Sequence, residues 1–580
     1  MYDSRPYVPV SSHPEDCHVG WDSIGRSLRE IQNRKRSTVC IECYPGVFVH
    51  EVCERLAALL KPALLISTED LLLAPAILND RVAPMLTDDP VFGVMNCIEI
   101  EEFFDPEKLR YALYAVEKIS EGVILIVGTG AVKVAPQHDL LVYADMARWE
   151  IQQRQRRGEI GNFGADNKDE PPAQKYKRGF FLDWRAADRL KEQLLPLIDF
   201  VLDTNTPAVP KLISGDAMRS GLRIAAERPF RVVPFFDPGP WGGHWMEKTF
   251  HLPNNLPNYA WCFDCVPEEN SLLLGFGNVL VEIPSINLVL AYPRELLGDY
   301  IYKCFGAEFP IRFDLLDTVG GGNLSLQVHP LTEYVQERFG LSYTQDESYY
   351  LLDAENDACV YLGLKEHIDP HAMLDDLRAA QQGESEFDTD RYVNKWSARK
   401  HDHFLIPAGT VHCSGRGSIV LEISATPYIF TFKLWDWGRM GLDGRPRPIH
   451  LERGAENIQW NRTTTWVKDS LINCVEEVAT CDGWREERTG LHELEFIETR
   501  RHWFTGVVPH DTNGTVNVLN LVEGEEAIVE SPSGAFAPLI VHYAETFIVP
   551  AQVGRYTVRP HGAAAGKQCA TVKALVRHES

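Results

Sequence analysis

Residues 321–335, "GGGNLSLQVHPLTEY", contain a short run in which apolar and polar side chains alternate. Successive side chains of a β-strand point to opposite faces, so this run predicts a strand with two different faces. The apolar face would carry Leu324, Leu326 and Val328. The polar face would carry Ser325, Gln327 and His329. A serine, an amide and an imidazole side by side, with a core-forming face behind them, indicate a functional site.

Two further candidate metal ligands lie downstream of this run: Glu347 in "QDESYYLLDA" and His412 in "FLIPAGTVHCSG". Together with Gln327 and His329 they would supply two imidazole nitrogens, one carboxylate and one amide oxygen. Zinc takes such nitrogen and oxygen ligands from rigid elements and, in a catalytic site, keeps a position open for water or substrate. With only one anionic ligand the ion would stay strongly Lewis-acidic. Taken singly, His329, Glu347 and His412 would each be better interpreted as an ordinary strand-end, surface or loop residue, and only their combination favours a metal site.

The bulk composition is that of a globular protein with several domains. A chain of 580 residues is too long for one hydrophobic core, so about two to four domains are expected. Its formal net charge of −25 argues against a nucleic acid or an anionic membrane as partner. A phosphorylated small molecule is not excluded, because one local basic pocket would be enough to bind it.

The same composition predicts a cytoplasmic protein. The first residues lack the cationic and apolar regions of a signal peptide, and no apolar run approaches the ~20 residues that span a bilayer. The 13 cysteines are an odd, scattered set, which fits reduced thiols. Cys262 and Cys265 in "WCFDC" could form half of a redox or metal site, but core thiols are favoured because no second CxxC follows.

The pattern of predicted secondary structure changes near residue 205. Before it, strands such as "STVCIECYPG" and "GVILIVGTG" alternate with helical segments such as "VHEVCERLAALL", which predicts a parallel sheet covered by helices. After it, short β-rich runs separated by Gly, Pro and Asp turns predict jelly rolls or β-sandwiches, with a helical insert at "DPHAMLDDLRAAQQG". We therefore expect an α/β domain at 1–205 and two β domains at 206–450 and 451–580.

Several strings of the β region resemble one family. "LSLQVHP" and "IPAGTVH", with "GPWGGHWMEK", "DESYYLLDAE" and "WDWGRMGLDGRPRPIH", closely resemble the class I mannose-6-phosphate isomerases, zinc enzymes of the cupin superfamily. The resemblance covers about residues 230–450 and is weaker over the last block. It implies cupin jelly rolls and one zinc held by Gln327, His329, Glu347 and His412. It also implies interconversion of mannose 6-phosphate and fructose 6-phosphate through a cis-enediol.

The resemblance also assigns the residues that would act on the sugar. Glu422, in "IVLEISA", aligns with a glutamate of the family's site and could be a base, orient a base, or face solvent. Lys433 stands where the family carries an arginine; it keeps the charge but loses the planar five-donor fork. Ser325 matches a serine at the phosphate end, and Arg439 matches a nearby arginine. Trp241, followed by two glycines, matches a turn that shapes the rim of the pocket.

Other positions depart from the family's pattern. Gln345 replaces a lysine that contacts the phosphate region, and "SATPY" replaces a run like "QQNSD" with its aspartate. Losing one cationic phosphate contact costs about 1.5–3 kcal/mol, roughly a ten- to hundredfold effect. The isomerase chemistry is therefore predicted more firmly than the sugar. The alternative is a metal-bound sugar sensor whose catalytic activity has been lost.

Residues 35–205 resemble uridine kinases in "ISTEDLLL", "EEFFDPEKLRYAL" and "DLLVYADMARWEIQQRQRRGEIGNFGADN". A phosphate-binding P-loop needs G-x-x-x-x-G-K-[ST], whereas the segment between Glu42 and His50 offers Gly46 but neither the lysine nor the following hydroxyl. We expect a P-loop-kinase-like domain without phosphate transfer. It could bind a sugar, a nucleotide or another subunit, or serve only in docking and folding.

Overall fold

The computed structural model describes residues 1–30, 35–444, 447–490 and 492–577. The chain forms two compact units. The first, here called the α/β unit, comprises Pro6–Ala225 and Pro267–Tyr292. The second, the β unit, comprises Met1–Arg5, Ala226–Val266 and Pro293–Ser580. The domain boundaries expected at residues 205 and 450 stay predictions.

Residues 1–226 alternate strands with helices. The strands are β1 (Tyr7–Ser11), β2 (Cys17–Val19), β3 (Arg36–Cys43), β4 (Leu64–Ser67), β5 (Gly122–Gly128), β6 (Leu140–Asp145), β7 (Phe200–Asp203) and β8 (Lys211–Ser214). The helices are α1 (Trp21–Glu30), α2 (Val49–Leu60), α3 (Pro75–Leu86), α4 (Pro106–Lys118), α5 (Ala131–Val134), α6 (Arg148–Arg156), α7 (Pro172–Arg178), α8 (Trp184–Leu194) and α9 (Gly215–Ala226).

Residues 227–450 are mostly strands. These are β9 (Phe235–Asp237), β10 (Trp261–Cys265), β11 (Ser271–Phe276), β12 (Val279–Pro284), β13 (Arg312–Asp317), β14 (Leu326–Val328), β15 (Asp346–Ala354), β16 (Cys359–Leu364), β17 (Val393–Ser397), β18 (His403–Ile406), β19 (His412–Ser414), β20 (Ser418–Ala425) and β21 (Phe432–Trp435). The helices between them are α10 (Trp245–Phe250), α11 (Ile286–Ala291), α12 (Pro293–Leu297), α13 (Asp299–Phe305), α14 (Thr332–Phe339), α15 (Pro370–Gln381) and α16 (Thr389–Tyr392). The helix α15 lies where the helical insert was expected.

The remainder begins with two short helices and continues as strands. The helices are α17 (Leu451–Asn457) and α18 (Thr464–Ser470). The strands are β22 (Glu476–Cys481), β23 (Trp484–Gly490), β24 (Ile497–Phe504), β25 (Val508–Asp511), β26 (Asn517–Glu523), β27 (Glu526–Glu530), β28 (Leu539–His542), β29 (Thr546–Val549), β30 (Arg555–Pro560) and β31 (Cys569–Val576).

The α/β unit is built on a sheet of order β2-β8-β7-β6-β3-β5-β4, whose five strands from β7 to β4 are parallel. Strands such as β3 and β5 are buried almost throughout, as the continuous apolar runs of a sheet covered on both faces require. The hairpin β11–β12 joins β1 in a separate three-stranded sheet. A mixed α/β N-terminal region is therefore present.

The β unit contains four largely antiparallel sheets in two sandwiches. The first sandwich pairs a six-stranded sheet, β18-β15-β20-β13-β10-β9, with a five-stranded sheet, β17-β16-β19-β14-β21. The second pairs the six-stranded sheet β22-β23-β24-β31-β26-β29 with the four-stranded sheet β25-β30-β27-β28. In the second sandwich, residues from both sheets meet in one buried core, for example Phe504, Val508, Leu519 and Val558. Cys262 and Cys265 are buried on β10, and neither forms a disulfide.

Helices of the length and hydropathy needed to cross a bilayer do not occur in the described part of the chain.

A buried ion-pair network ties the N-terminal residues to both sandwiches of the β unit. The Arg231 guanidinium lies 2.9 Å from a Glu545 carboxylate oxygen and 3.5 Å from an Asp264 oxygen, and all three side chains are almost fully buried. Tyr2 donates its hydroxyl hydrogen to Asp264 at 2.6 Å. Burial alone would raise the pKa of Glu545, but Arg231 outweighs it and holds the pKa below its usual value.

The change Arg231→Met should destabilise the β unit strongly, because it leaves two buried carboxylates without their cation. Breaking a buried pair in this way costs about 3–5 kcal/mol. The control Arg555→Met removes an arginine that is 88% exposed and forms a long, weak ion pair with Asp511 at 3.7 Å. Its loss should lower the free energy of unfolding by about 0–1 kcal/mol. Urea-unfolding midpoints measure both. Equal midpoints for the two variants would contradict a stabilising role of the network.

Candidate metal centre

The alternating run of the sequence lies in the middle of the five-stranded sheet. Its strand β14 is shorter than the run, but residues 324–330 are all buried. Gln327 is paired with His412 of β19 on one side and with Lys433 of β21 on the other. Residues paired across adjacent strands project to the same face. The side chains of His412, Gln327 and Lys433 therefore form one row.

The six-stranded sheet supplies a second polar row. Glu347 and Tyr349 lie two residues apart on β15 and share a face. Tyr349 is paired with Glu422 of β20, which is paired in turn with Asp314 of β13. The negative charge of Glu347 acts on the Glu422 carboxyl. A carboxyl row thus lies beside the Glu347 carboxylate inside the first sandwich.

Side chains from both sheets meet at Glu347. The His329 Nε2 atom lies 3.1 Å from one Glu347 oxygen, and the His412 Nε2 atom lies 2.9 Å from the other. The side-chain amide of Gln327 lies 3.2 Å from the same His412 nitrogen. All four side chains are buried. Among the residues described, His329, Glu347 and His412 form the one group of His, Cys, Asp and Glu with its ligand atoms close enough to hold an ion.

The other ring nitrogens fix the protonation of the two histidines. The His329 Nδ1 atom lies 2.8 Å from the carbonyl oxygen of Phe430, and the His412 Nδ1 atom lies 2.8 Å from that of Thr410. A carbonyl only accepts, so each Nδ1 carries a hydrogen, and a neutral imidazole then presents a lone pair at Nε2. Both Nε2 atoms face the carboxylate oxygens of Glu347. Such contacts need a proton or a metal ion between nitrogen and oxygen, and the donor set fits a transition-metal ion such as zinc.

Gln327 can complete this set. The amide oxygen and nitrogen of a glutamine are related by a flip of the terminal group, so the oxygen can face an ion in place of the nitrogen. Gln345 supports the carboxylate from the other side, because its amide nitrogen donates to a Glu347 oxygen at 2.8 Å. Such contacts from outside the ligand set orient a metal ligand and tune its affinity.

The charges at the centre shift the pKa values of its acids in opposite directions. Burial alone would raise the pKa of Glu347, but the positive charge of protonated His329 and the hydrogen bonds from His329 and His412 outweigh it and hold the pKa well below its usual value. Burial, and then the Glu347 negative charge, raise the pKa of Glu422 well above its usual value. Glu422 is therefore the more basic of these two neighbouring carboxyl groups.

A group of cations lies at the end of the Lys433 row; we call Ser325, Lys433, Asp436, Arg439 and Arg447 the Asp436 cluster. Asp436 accepts hydrogen bonds from Ser325 at 2.8 Å, from Arg439 at 2.7 Å and from Arg447 at 2.9 Å. Two guanidinium groups thus share one carboxylate, and the Lys433 ammonium is close enough to feel its charge, which leaves a positive balance. Burial, and then the Arg447 charge, lower the pKa of Lys433 to about 8, against the opposing effect of Asp436.

Arg447 was not a candidate in the sequence analysis. It lies in "GRPRPIH", a string quoted only for its resemblance, and no spacing in the sequence relates it to Ser325. In the structure the chain returns after β21, and the Arg447 guanidinium donates to the Ser325 hydroxyl at 3.1 Å. Asp314 and Tyr349 were also missed. Their strand positions, on the same face as Glu422, could have indicated them.

Trp241 and the glycines after it support the loop that leads into β14. The side chain of Trp241 is buried edge-on against Trp261, with ring centres 4.6 Å apart. Its carbonyl oxygen accepts a hydrogen bond from the Gly322 amide at 2.9 Å. A Cβ atom on Gly321 would lie 2.2 Å from that carbonyl oxygen, so the close approach of the two backbones requires glycine.

In the α/β unit, the segment at the position expected for a P-loop packs closely against side chains of α6. A Cβ atom on Gly46 would lie 2.7 Å from the Ile151 side chain. The buried Arg154 guanidinium donates to the Gly46 carbonyl oxygen at 3.1 Å and to that of Thr204 at 2.8 Å. Arg154, which belongs to the arginine-rich string that resembles uridine kinases, therefore packs against this loop.

Two antiparallel sheets that enclose a His–Glu–His cluster define a β-sandwich protein with a buried metal-binding centre. The chain is 30% identical over 232 residues to "Probable mannose-6-phosphate isomerase GmuF" of Bacillus subtilis, covering 40% of this chain and 68% of that one. It is 25% identical over 236 residues to "Mannose-6-phosphate isomerase ManA" of the same organism, again covering 40% and 68%. The chain belongs to the mannose-6-phosphate isomerase family.

Two other comparisons gave matches that are less informative about function. Residues 20–227 match a domain family described as "Domain of unknown function (DUF8485)". The crystal structure of the mannose 6-phosphate isomerase from Bacillus subtilis aligns with a TM-score of 0.49 and 17% identity, covering 60% of this chain and 99% of that one.

The centre should bind about one divalent ion per chain, and His329→Ala and His412→Ala should each abolish that binding. Each change removes one ligand nitrogen, and the remaining ligands are too few to hold the ion. Elemental analysis after dialysis against zinc measures the bound ion. His371→Ala, which alters an exposed helix residue, is the matched control and should retain the ion. Full metal content in either variant of the centre would contradict the assignment.

Proposed function

We propose that this protein is a zinc-dependent aldose–ketose isomerase that interconverts mannose 6-phosphate and fructose 6-phosphate, or a closely related sugar phosphate, through a cis-enediol. The observation that carries the proposal is the convergence of the two imidazole Nε2 atoms on Glu347, next to the positively charged Asp436 cluster. The family membership supports the same reaction type.

The reaction moves a proton between C1 and C2 of the open-chain sugar. Gln327, His329, Glu347 and His412 would hold the zinc, which when bound supplies a Lewis acid that polarises the sugar's carbonyl group. The sandwich excludes water from this centre, because all four ligand side chains are buried. Charges that develop during the reaction are therefore stabilised by fixed groups of the protein.

Glu422 and Lys433 flank the centre from opposite sheets. Since the pKa of Glu422 is raised, its carboxylate form is a stronger base than an ordinary glutamate, and we assign to it the proton transfer at carbon. Lys433 lies in the row of Gln327 and His412, and we assign to its ammonium the stabilisation of the negative charge on the enediol oxygens.

The phosphate would be held at the Asp436 cluster. Ser325, Arg439 and Arg447 offer donors there, and Asp436 orients both guanidinium groups. Gln345 is neutral and donates to Glu347, so we assign it to positioning the metal ligand at the edge of the substrate site. Trp241 would support the rim through the loop before β14.

The second candidate function is a metal-bound sugar or sugar-phosphate sensor without turnover. Gln345, Lys433 and the "SATPY" segment, which differ from the family's pattern, favour it. The two functions differ in one observable: a sensor binds the sugar and leaves it unchanged.

For the rest of the chain, we propose a P-loop-kinase-like domain at 1–205 without phosphotransfer, a catalytic cupin domain at 206–450 and a cupin-like domain at 451–580. The order of the five parallel strands, with the first strand β3 in the centre, supports the kinase-like fold. The Ile151 and Arg154 contacts at Gly46 support the loss of phosphate transfer.

The zinc-loaded protein in deuterated buffer should convert fructose 6-phosphate to mannose 6-phosphate, with deuterium entering at the carbon that exchanges its proton. Proton NMR follows the conversion and the incorporation of deuterium. Free mannose and free fructose in parallel tubes test whether the phosphate is required. Turnover of the phosphates alone would support the assignment of the Asp436 cluster. Binding without exchange in any tube would favour the sensor.

If Lys433 acts as a cation, kcat/KM should fall as the pH rises through about 8, because the ammonium loses its proton there. Lys433→Arg should move this fall to much higher pH, since an arginine stays charged. Lys433→Met should lower kcat/KM by about ten- to hundredfold at pH 7. Lys468→Met, on α18, is the control. If kcat/KM of Lys433→Arg falls over the same alkaline pH range as that of the wild type, this role is excluded.

A further inference from the structure

The second sandwich carries basic side chains on the inner faces of its sheets. Phe504 of β24 lies in the buried core of this sandwich, and the period of two places Arg500 and His502 on the same face. Cys569 of β31 also lies in that core, and Lys573 shares its face. Arg500 and Lys573 are directly paired across the two strands. Two like charges in such a pair repel each other.

The opposite sheet adds a histidine to this group. His510 of β25 is two residues from Val508, which belongs to the core. Its ring is stacked on Tyr556, with centres 4.8 Å apart, and meets the His502 ring edge-on at 4.5 Å. Both ring nitrogens of His510 and the Nδ1 atom of His502 are buried and have no hydrogen-bond partner in the described chain. Buried polar atoms without a partner are rare and costly.

Lys573 is the most unusual member of the group. Its side chain is only 6% exposed, and within the described residues its ammonium makes neither an ion pair nor a hydrogen bond. The nearby carboxylates are already engaged: Glu486 pairs with Arg500 at 2.9 Å and with His502 at 3.4 Å, and Glu498 also pairs with Arg500. Burial lowers the pKa of Lys573 to about 8, although Glu486 opposes this.

We propose that the second sandwich binds a small oxyanion, a phosphate or carboxylate group, between Lys573, His502 and His510. An anion there would give the Lys573 ammonium the direct partner that the engaged carboxylates do not provide, and it would accept hydrogen bonds from the imidazoles. The site is built from other strands than the metal centre. A metal ion is disfavoured at this position, because the ammonium lies beside it and Glu486 and Glu498 are paired with Arg500.

The test is calorimetric titration of the full-length, zinc-loaded protein with inorganic phosphate and, separately, with acetate, in a zwitterionic buffer at pH 7. The wild type should bind phosphate at two sites, one of which is lost in Arg447→Met at the Asp436 cluster. In that background, Lys573→Met should weaken the remaining site at least tenfold, as expected for the loss of a charge-assisted contact. Lys567→Met, whose lysine is exposed and lies 3.2 Å from Glu525, is the matched control and should bind like its parent.

Two further results decide the proposal if one variant behaves poorly. Phosphate should raise the thermal-unfolding midpoint of Arg447→Met but not that of the double variant with Lys573→Met. Lys573→Met alone should leave isomerase turnover unchanged. A site that takes up acetate better than phosphate would assign a carboxylate ligand. Phosphate and acetate binding that are unaffected by Lys573→Met, or absent in Arg447→Met, would overturn the proposal.

Discussion

The central constraint on this structure is the buried carboxylate of Glu347. A carboxylate without solvent is costly unless cations or hydrogen-bond donors surround it. Here the two histidines turn their Nε2 atoms towards it, because their Nδ1 atoms are bonded to the carbonyl groups of Phe430 and Thr410. The arrangement is therefore complete only with a proton or a metal ion between each nitrogen and the carboxylate. Since its members come from both sheets of the first sandwich, the sandwich must bring β14, β15 and β19 into one fixed register.

The local part of this centre could be predicted from the sequence. The spacing of Gln327 and His329 on one face follows from the period of a strand, and both side chains reach the same centre. The strings around Glu347 and His412 were informative only through their resemblance to a family. The partners of the Nδ1 atoms could not be predicted, because the backbone carbonyls that accept these hydrogen bonds carry no sequence signal.

The long-range parts were harder to predict for a similar reason. Arg447 reaches Ser325 across 122 positions of the chain, so its role depends on how the segment after β21 folds back. The hairpin β11–β12 lies in the middle of the β-rich sequence, yet it belongs to the α/β unit. There the Glu282 amide donates to Asp203 at 2.9 Å, and Tyr176 donates to Glu269 at 2.7 Å. The β-rich composition groups this hairpin with its neighbours in sequence, whereas these contacts place it in the α/β unit.

The two sandwiches also show why a carboxylate decides what a group of histidines can bind. In the first, Glu347 is directed at the imidazole Nε2 atoms, and the arginines are held away from it by Asp436. In the second, Glu486 contacts His502 but is also paired with Arg500, so its charge is already compensated and is not available to a metal ion. The same residue types therefore favour a cation in one sandwich and an anion in the other. The difference arises from which charged partner each glutamate contacts, and a count of histidines and acids in the sequence does not contain that information.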